Sequence, residues 1–230
     1  MNSSRPRTLL SSPGLRLGGL RSATLGMAIL ALTACAGVSP GSAAVVDGES
    51  ISMKKADKAS AAYCKLSLAV AAQQGAPAVS AADSRRQAIS DLITYAVAKK
   101  VEKQRGVAVD PTTYVITDTQ KAQIVKAFPG GDLAQISHAI ERSQEIYAII
   151  IALGKASTGE VMANDTKAAI EQSGQAEITR AYTSSDISID PRFGLNDLTK
   201  KIGDTGSLSI AAVTKANNDP AKLPATQRCS

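Results

Sequence analysis

Residues 44–52 read Ala44-Val45-Val46-Asp47-Gly48-Glu49-Ser50-Ile51-Ser52, and the fold follows from how they are read. Val45, Val46 and Ile51 favour a β conformation, and the Asp-Gly pair between them breaks the run with a turn. Ser52 then stands where a side-chain oxygen caps the start of a helix. Alternating apolar and polar residues return only near the other end. There Asp186-Ile187-Ser188-Ile189-Asp190-Pro191-Arg192-Phe193-Gly194 reads as a strand ending in a turn, and Ser207-Leu208-Ser209-Ile210 as another short one. Strands at the two ends of a helical middle usually pair with each other. The expected class is therefore α+β, mostly helical, with about five helices inserted between short N- and C-terminal strands.

The helical middle is legible from its period. A first helix runs from about Met53 to Gln74, with Ala59, Tyr63, Leu66 and Val70 at helical spacing and Gly75 and Pro77 beyond it. A second opens at Asp83 or Ser84, carries Ile89, Leu92, Ile93, Val97 and Val101 on one face, and stops at Gly106. Lys99, Lys100, Lys103 and Arg105 load its last turns, as the helix dipole prefers. Thr117 and Gln120 have capping-box spacing and begin a short third helix with Ile124, Val125 and Phe128. The fourth spans Asp132 to Leu153, is apolar nearly all round from Ile146 to Leu153, and closes at Gly154. A fifth is expected from Thr158, divided at Ser173-Gly174 before Ile178 and Tyr182.

Upstream of the first strand lies an addressing segment. Arg5, Arg7, Arg16 and Arg21 precede an apolar run from about Ala23, which closes on Leu32-Thr33-Ala34-Cys35. That order of a basic region, a short apolar region and small residues before a cut reads as a signal peptide, and its last four residues read as a lipobox. The run is too short for a membrane span of about 20 residues. On this reading residues 1–34 are removed, the Cys35 sulfur carries a diacylglycerol, and residues 35–43 form a flexible tether to a folded part at 44–230. The expected location is the extracytoplasmic face of the cell membrane, by lipid anchor. The alternative is an ordinary secretory cut near Ala34 and Ala36 that leaves Cys35 a free thiol.

Removing the four arginines of that segment changes the charge argument. The whole chain carries +6, whereas residues 35–230 hold 22 basic and 20 acidic residues, close to neutral. No clustered Lys/Arg face with interleaved aromatics is visible, so nucleic-acid binding is not expected. The apolar content is Ala, Val, Ile and Leu, with no Trp, two Phe and five Tyr, a composition suited to closely packed helices. Besides Cys35 the cysteines are Cys64 and Cys229. In an oxidising compartment a Cys64–Cys229 disulfide is the natural reading, with two separate reduced thiols as the alternative. The polar tail from Thr214, with Pro220 and Pro224, has too few apolar residues to dock by burial and would gain most from such a staple.

With these elements placed, the stretch at 44–52 resembles the opening strand of the SurA and PrsA type foldases, a short Val-Val-Asn/Asp-Gly strand that runs directly into a helix. Ser188 to Gly194, Gly206 to Ser209, and the tail Leu223-Pro224-Ala225-Thr226-Gln227-Arg228-Cys229 resemble actinobacterial lipoproteins with a SurA-like N-terminal domain. The resemblance covers residues 44–230. It implies a helical peptide-binding module, related in fold to the substrate cradle of trigger factor, that holds unfolded or exported polypeptides. Larger relatives add a parvulin-type prolyl isomerase domain of about a hundred residues, for which this chain shows no corresponding segment.

Chemistry-bearing patterns are sparse. His138 is the single histidine, and helical spacing puts it with Arg142 and Glu145 on the face away from Ile136 and Ile140, a solvated stripe. Lys54-Lys55 and Lys99-Lys100 read as solvated helix faces, and Asp190 as the residue that fixes the turn at Pro191. Nucleophile triads, His-based zinc sites and phosphate loops have no support. No catalytic residue, metal or cofactor is expected. The expected function is a membrane-anchored chaperone-like lipoprotein that holds unfolded or exported polypeptides through apolar surface between its helices, a reading that a concave apolar cleft between the second and fourth helices would favour. The alternative is a structural lipoprotein that binds one envelope partner, and an isomerase stands behind both.

Overall fold

The computed structural model describes residues 40–76, 78–195 and 219–230. The expected signal segment, Cys35 and the expected strand at Ser207–Ile210 lie outside the described residues. Two strands open the fold, β1 (Ser42–Val46) and β2 (Glu49–Ser52), joined by Asp47-Gly48. Val46 pairs with Glu49, so the loop is two residues long, and both have positive φ, 50° and 85°. That is the turn whose twist matches antiparallel strands, and glycine adopts it without steric cost. β1 begins at Ser42, two residues earlier than the sequence suggested, with Ala43 and Ala44 wholly buried.

The returning strand is β3 (Ile187–Ile189), which pairs antiparallel with β1 through Ala44–Ile189 and Val46–Ile187. The sheet order is β2-β1-β3, so the opening strand is the central one. The expected pairing of the two chain ends is observed. After β3, the Asp190 carboxylate accepts the Arg192 N–H and closes the turn, its anticipated part.

Five helices fill the interval: α1 (Met53–Gln73), α2 (Ala81–Arg105), α3 (Asp118–Ala127), α4 (Leu133–Thr158) and α5 (Lys167–Ser184). Ser52 caps α1 by accepting the Lys55 N–H. The buried face of α1 is Ala56, Ala59, Ala62 and Ala71, and these short side chains let α2 approach closely. α2 starts earlier than Asp83, because Ser80 has the extended backbone of a cap and accepts the Asp83 N–H. Ser84 is instead buried against the tail, with its hydroxyl 3.3 Å from the Cys229 sulfur. α3 carries the expected capping box, with both reciprocal Thr117–Gln120 bonds made.

Two glycines correct the sequence reading of α4 and α5. α4 does not close at Gly154 but continues to Thr158, and Gly159 ends it in the left-handed conformation, φ 70°. α5 does not begin at Thr158, and it passes through Gly174 unbroken. A Cβ on Gly154 would lie 2.0 Å from the Ile170 carbonyl oxygen, and one on Gly174 would lie 1.9 Å from that of Ile150. Both glycines serve a helix crossing too tight for any side chain.

The core gathers Ile89, Leu92, Ile93 and Val97 from α2, Ile149 and Leu153 from α4, Ile178 from α5, and the inner face of the sheet. A smaller cluster of Ile116, Ile124, Ile136, Ala139 and Ala62 seats α3 on α4 and α1. Each large apolar side chain so buried contributes about 1.5–3 kcal/mol. The Cys64–Cys229 disulfide is present, with Cα atoms 5.3 Å apart. The tail meets it at the corner between α1 and α2. There Cys229 N–H donates to Val79 O at 2.9 Å, Arg228 pairs with Ser80, and Lys65 Nζ donates to the Ser230 carbonyl at 2.8 Å. The tail reaches the bridge from this corner and not from the sheet, which sits at the start of α1, whereas Cys64 is in its second half.

Candidate functional site

A concavity of about 980 Å³ runs along the outer face of α4. Its floor is supplied by Ser143, Gln144, Tyr147, Ala148, Ile151, Ala152 and Lys155, which recur at helical spacing on one face of α4. One wall is Ala108, Val109, Asp110 and Thr113, from the segment after α2. Met162 and Lys167, from the turn into α5 and its first residue, complete the lining. Apolar and small side chains dominate this surface. Ile151, in the stretch that is apolar nearly all round, is half-buried and faces the groove, while Ile146, Ile149 and Leu153 on the opposite side are buried.

The wall is anchored by polar bonds. Asp110 accepts the Thr112 N–H and initiates the 3-10 turn Pro111–Thr113. That backbone bond, followed by the Thr112 side chain, holds the Asp110 carboxyl below the usual carboxylate range. Further on, the Ile116 N–H donates to Glu141 on α4 at 3.1 Å. At the floor, the Tyr147 hydroxyl donates to Glu171 on α5, which raises the Tyr147 pKa. Tyr147 is nonetheless 48% exposed, and Val161, beside Met162, is 79% exposed. This is a strip of apolar surface open to solvent.

Between α2 and α4 lies a second concavity of about 620 Å³, lined by Tyr63, Arg86, Asp91, Ser143, Ile146 and Leu195 among others, so that it mixes polar and apolar groups instead of being the apolar cleft expected there. A polar network borders it. Arg142 pairs with Asp91, and both side chains are nearly buried, at 12% and 13% exposure. Glu145 accepts the Tyr95 hydroxyl at 2.8 Å and Lys99 Nζ at 2.9 Å, and Lys99 also reaches Glu102. Burial pushes the Tyr95 hydroxyl up to about 12, reinforced by Glu145. Burial also raises Tyr63, with Asp91 adding to it. Burial alone would lower Lys99, but Glu102 and Glu145 hold it above the ordinary lysine value.

These contacts correct the sequence readings of Arg142, Glu145 and Lys99. Arg142 and Glu145 are not on a solvated stripe with His138, because α1 and α2 cover α4 from two sides there. Lys99 is engaged in the interface rather than free. Lys100 is exposed, as expected, and ties α2 to the hairpin through Asp47, at 2.7 Å. His138 is exposed as expected, at 66%, and sits 3.5 Å from Glu141. Lys54 and Lys55 are exposed. A small polar pocket of about 340 Å³, lined by Lys55, Tyr95, Tyr114, Gln135, His138 and Glu141 among others, opens beside this network.

Of the sequence-assigned sites, Cys64 and Cys229 are joined, far from the groove in sequence and on other elements, and Cys35 lies outside the described residues. Among the described residues no three His, Cys, Asp or Glu side chains gather to hold a metal, and no helix is long and apolar enough to cross a membrane. The groove was not read from the sequence. Its one signal was the width of the apolar face after Ile146, which exceeds what a single core contact needs. Comparison with protein-family models, curated proteins and solved structures gives no match to this chain.

Proposed function

We propose that this chain is a lipid-anchored protein of the extracytoplasmic membrane face that holds unfolded or exported polypeptides in the groove along α4, without catalysing a reaction on them. The observation that carries the reading is the groove itself: a long, open, mainly apolar surface on a body braced by a disulfide and two helix-crossing glycines. Unfolded chains expose apolar side chains in extended backbone, and a shallow strip of Ala, Val, Ile, Tyr and Met offers them burial without demanding one sequence. Methionine and tyrosine adapt to varied partners. The anchor rests on Leu32-Thr33-Ala34-Cys35. Kinship with the SurA and PrsA type module belongs to the same proposal, supported by the hairpin that enters α1 and by the return of β3 to β1.

A second reading is a lipoprotein that binds one specific envelope partner, favoured by the polar pocket beside Tyr95 and His138, whose fixed hydrogen-bonding groups suit a single ligand geometry. Aggregation suppression on a panel of unrelated unfolded proteins separates the two. Broad suppression that is lost in Ile151→Asp supports the polypeptide-holding reading, and no suppression of any client overturns it. The anchor is tested separately: Cys35→Ala should release the protein from the membrane fraction and abolish fatty-acid labelling.

A further inference from the structure

We propose that the groove along α4 is directional: it takes an extended apolar segment of about five residues whose flanking acidic group lies at the end formed by Lys155 and Lys167. This rests on the polypeptide-holding reading above and names the class of segment held.

The length comes from helix geometry. The floor runs from Ser143 to Lys155 on α4, and at a rise of 1.5 Å per residue this spans about 18 Å. An extended chain advances about 3.3 Å per residue, so about five residues fit. The apolar character comes from the floor and walls, where Ala148 and Ala152 leave room for a backbone between Ile151 and Val109.

The direction comes from charge. Lys155 lies in the last turn of α4 and Lys167 opens α5, and the packing of Gly154 against Ile170 holds those two turns together. Lys155 makes no ion pair among the described residues, and Lys167 has only a loose contact, 3.8 Å, with Glu171. Asp110 belongs to the opposite wall. The segment that follows it runs on to Ile116, whose N–H is held by Glu141 on α4. The lowered pKa of Asp110 keeps it anionic. The end of the groove where the two lysines meet therefore attracts an acidic group. Exposed rim pairs are weak individually, and two together change affinity by about threefold to tenfold.

The test uses the exported Cys35→Ala chain and three fluorescent peptides that share a five-residue apolar core, flanked by aspartate, by lysine or by serine. Anisotropy is read at about 0.05 M and about 0.5 M salt, which changes screening of exposed charges severalfold. The expected result is that the aspartate-flanked peptide binds about threefold to tenfold tighter than the lysine-flanked one at low salt. The gap should close at high salt, and the order should reverse in the Lys155→Glu/Lys167→Glu double variant. Equal affinity for all three peptides, with binding lost in Ile151→Asp, overturns the direction and leaves the holding reading intact. Failure of every peptide to bind overturns both. A preference that survives the double charge reversal places the cation elsewhere and overturns the assignment, as does displacement of the peptides by self-association of the protein.

Discussion

Gly154 on α4 lies so close to Ile170 on α5 that a single added carbon would fall 2.0 Å from the Ile170 carbonyl oxygen. An alanine in an ordinary helix interior is favoured over glycine by about 1 kcal/mol. Here the sign should reverse.

Gly154→Ala and Gly174→Ala should each lower stability by about 1–3 kcal/mol, read as a lower urea midpoint with an unchanged slope, because the helices must separate to admit the methyl group. The groove should lose peptide affinity in the same variants, since the α4–α5 spacing sets the position of Lys167. A neutral or stabilising effect at both sites would show that the crossing is looser than described.

The Cys64–Cys229 bridge closes a separation of 165 residues. In the chain-entropy description a loop of that length is worth about 5 kcal/mol, and for a body of this size that corresponds to about 10–20 °C in Tm. Cys64→Ser should lower Tm accordingly and make residues 219–230 sensitive to protease. Digestion without reductant should yield one linked peptide pair carrying both cysteines. Free alkylation of both thiols in the native protein would refute the bridge.

The Arg142–Asp91 pair is desolvated on both sides, so removing one partner strands the other. Arg142→Leu should cost about 3–5 kcal/mol, while Asp91→Leu/Arg142→Leu should recover most of the loss. A double-variant cycle in chemical denaturation checks this. Additive losses would mean that the two side chains do not act as a pair.

Acid should weaken the join between hairpin and body. Burial pushes the Asp47 carboxyl up, but Lys100, the Asp186 N–H and Ser185 outweigh it and leave the pKa below 3.8. Asp190 is also lowered, chiefly by Arg192. Each folded-state value lies below the unfolded one, so the stabilisation is present above about pH 4 and is lost as pH falls through the folded values. Tm should decline below that point, and the decline should shrink in Asp47→Asn.

At the alkaline end Tyr95 works in the opposite sense. Its folded pKa is raised from 10.0 to about 12, so the stabilisation is present below pH 10 and is lost as pH climbs through that interval. Tyrosinate absorbance should show Tyr95 and Tyr63 titrating only as the protein unfolds. In Tyr95→Phe the late step should become smaller by one group.

The parts of this fold that were legible in the sequence are those fixed by neighbours in the chain. Asp47-Gly48, the Thr117–Gln120 box, the Ser52 cap and the Asp190 turn each state their geometry within four residues. The misreadings share one cause, which is that a residue can serve two purposes that differ only in tertiary context. Glycine ends a helix when its φ is positive, as at Gly159, and admits a neighbouring helix when it is not, as at Gly154 and Gly174. Charges spaced as His138, Arg142 and Glu145 are look solvated until the crossing of α2 covers two of the three. The groove was hidden for the same reason, since Ile151 is as apolar as Ile149 and only the placement of the 107–116 segment separates them.

The position of β1 at the centre of the sheet sets an order of events. Its β2 edge is satisfied within ten residues of synthesis, whereas its other edge has no partner until Ile187–Ile189 has emerged, more than a hundred residues later. A β1–β2 hairpin formed without β3 would present an unpaired edge, the kind of template that recruits other strands. A chain cut anywhere in α2 to α5 therefore leaves one edge of β1 unpaired, whereas in the full fold both edges of β1 are bonded and the open edges pass outward to the shorter strands β2 and β3.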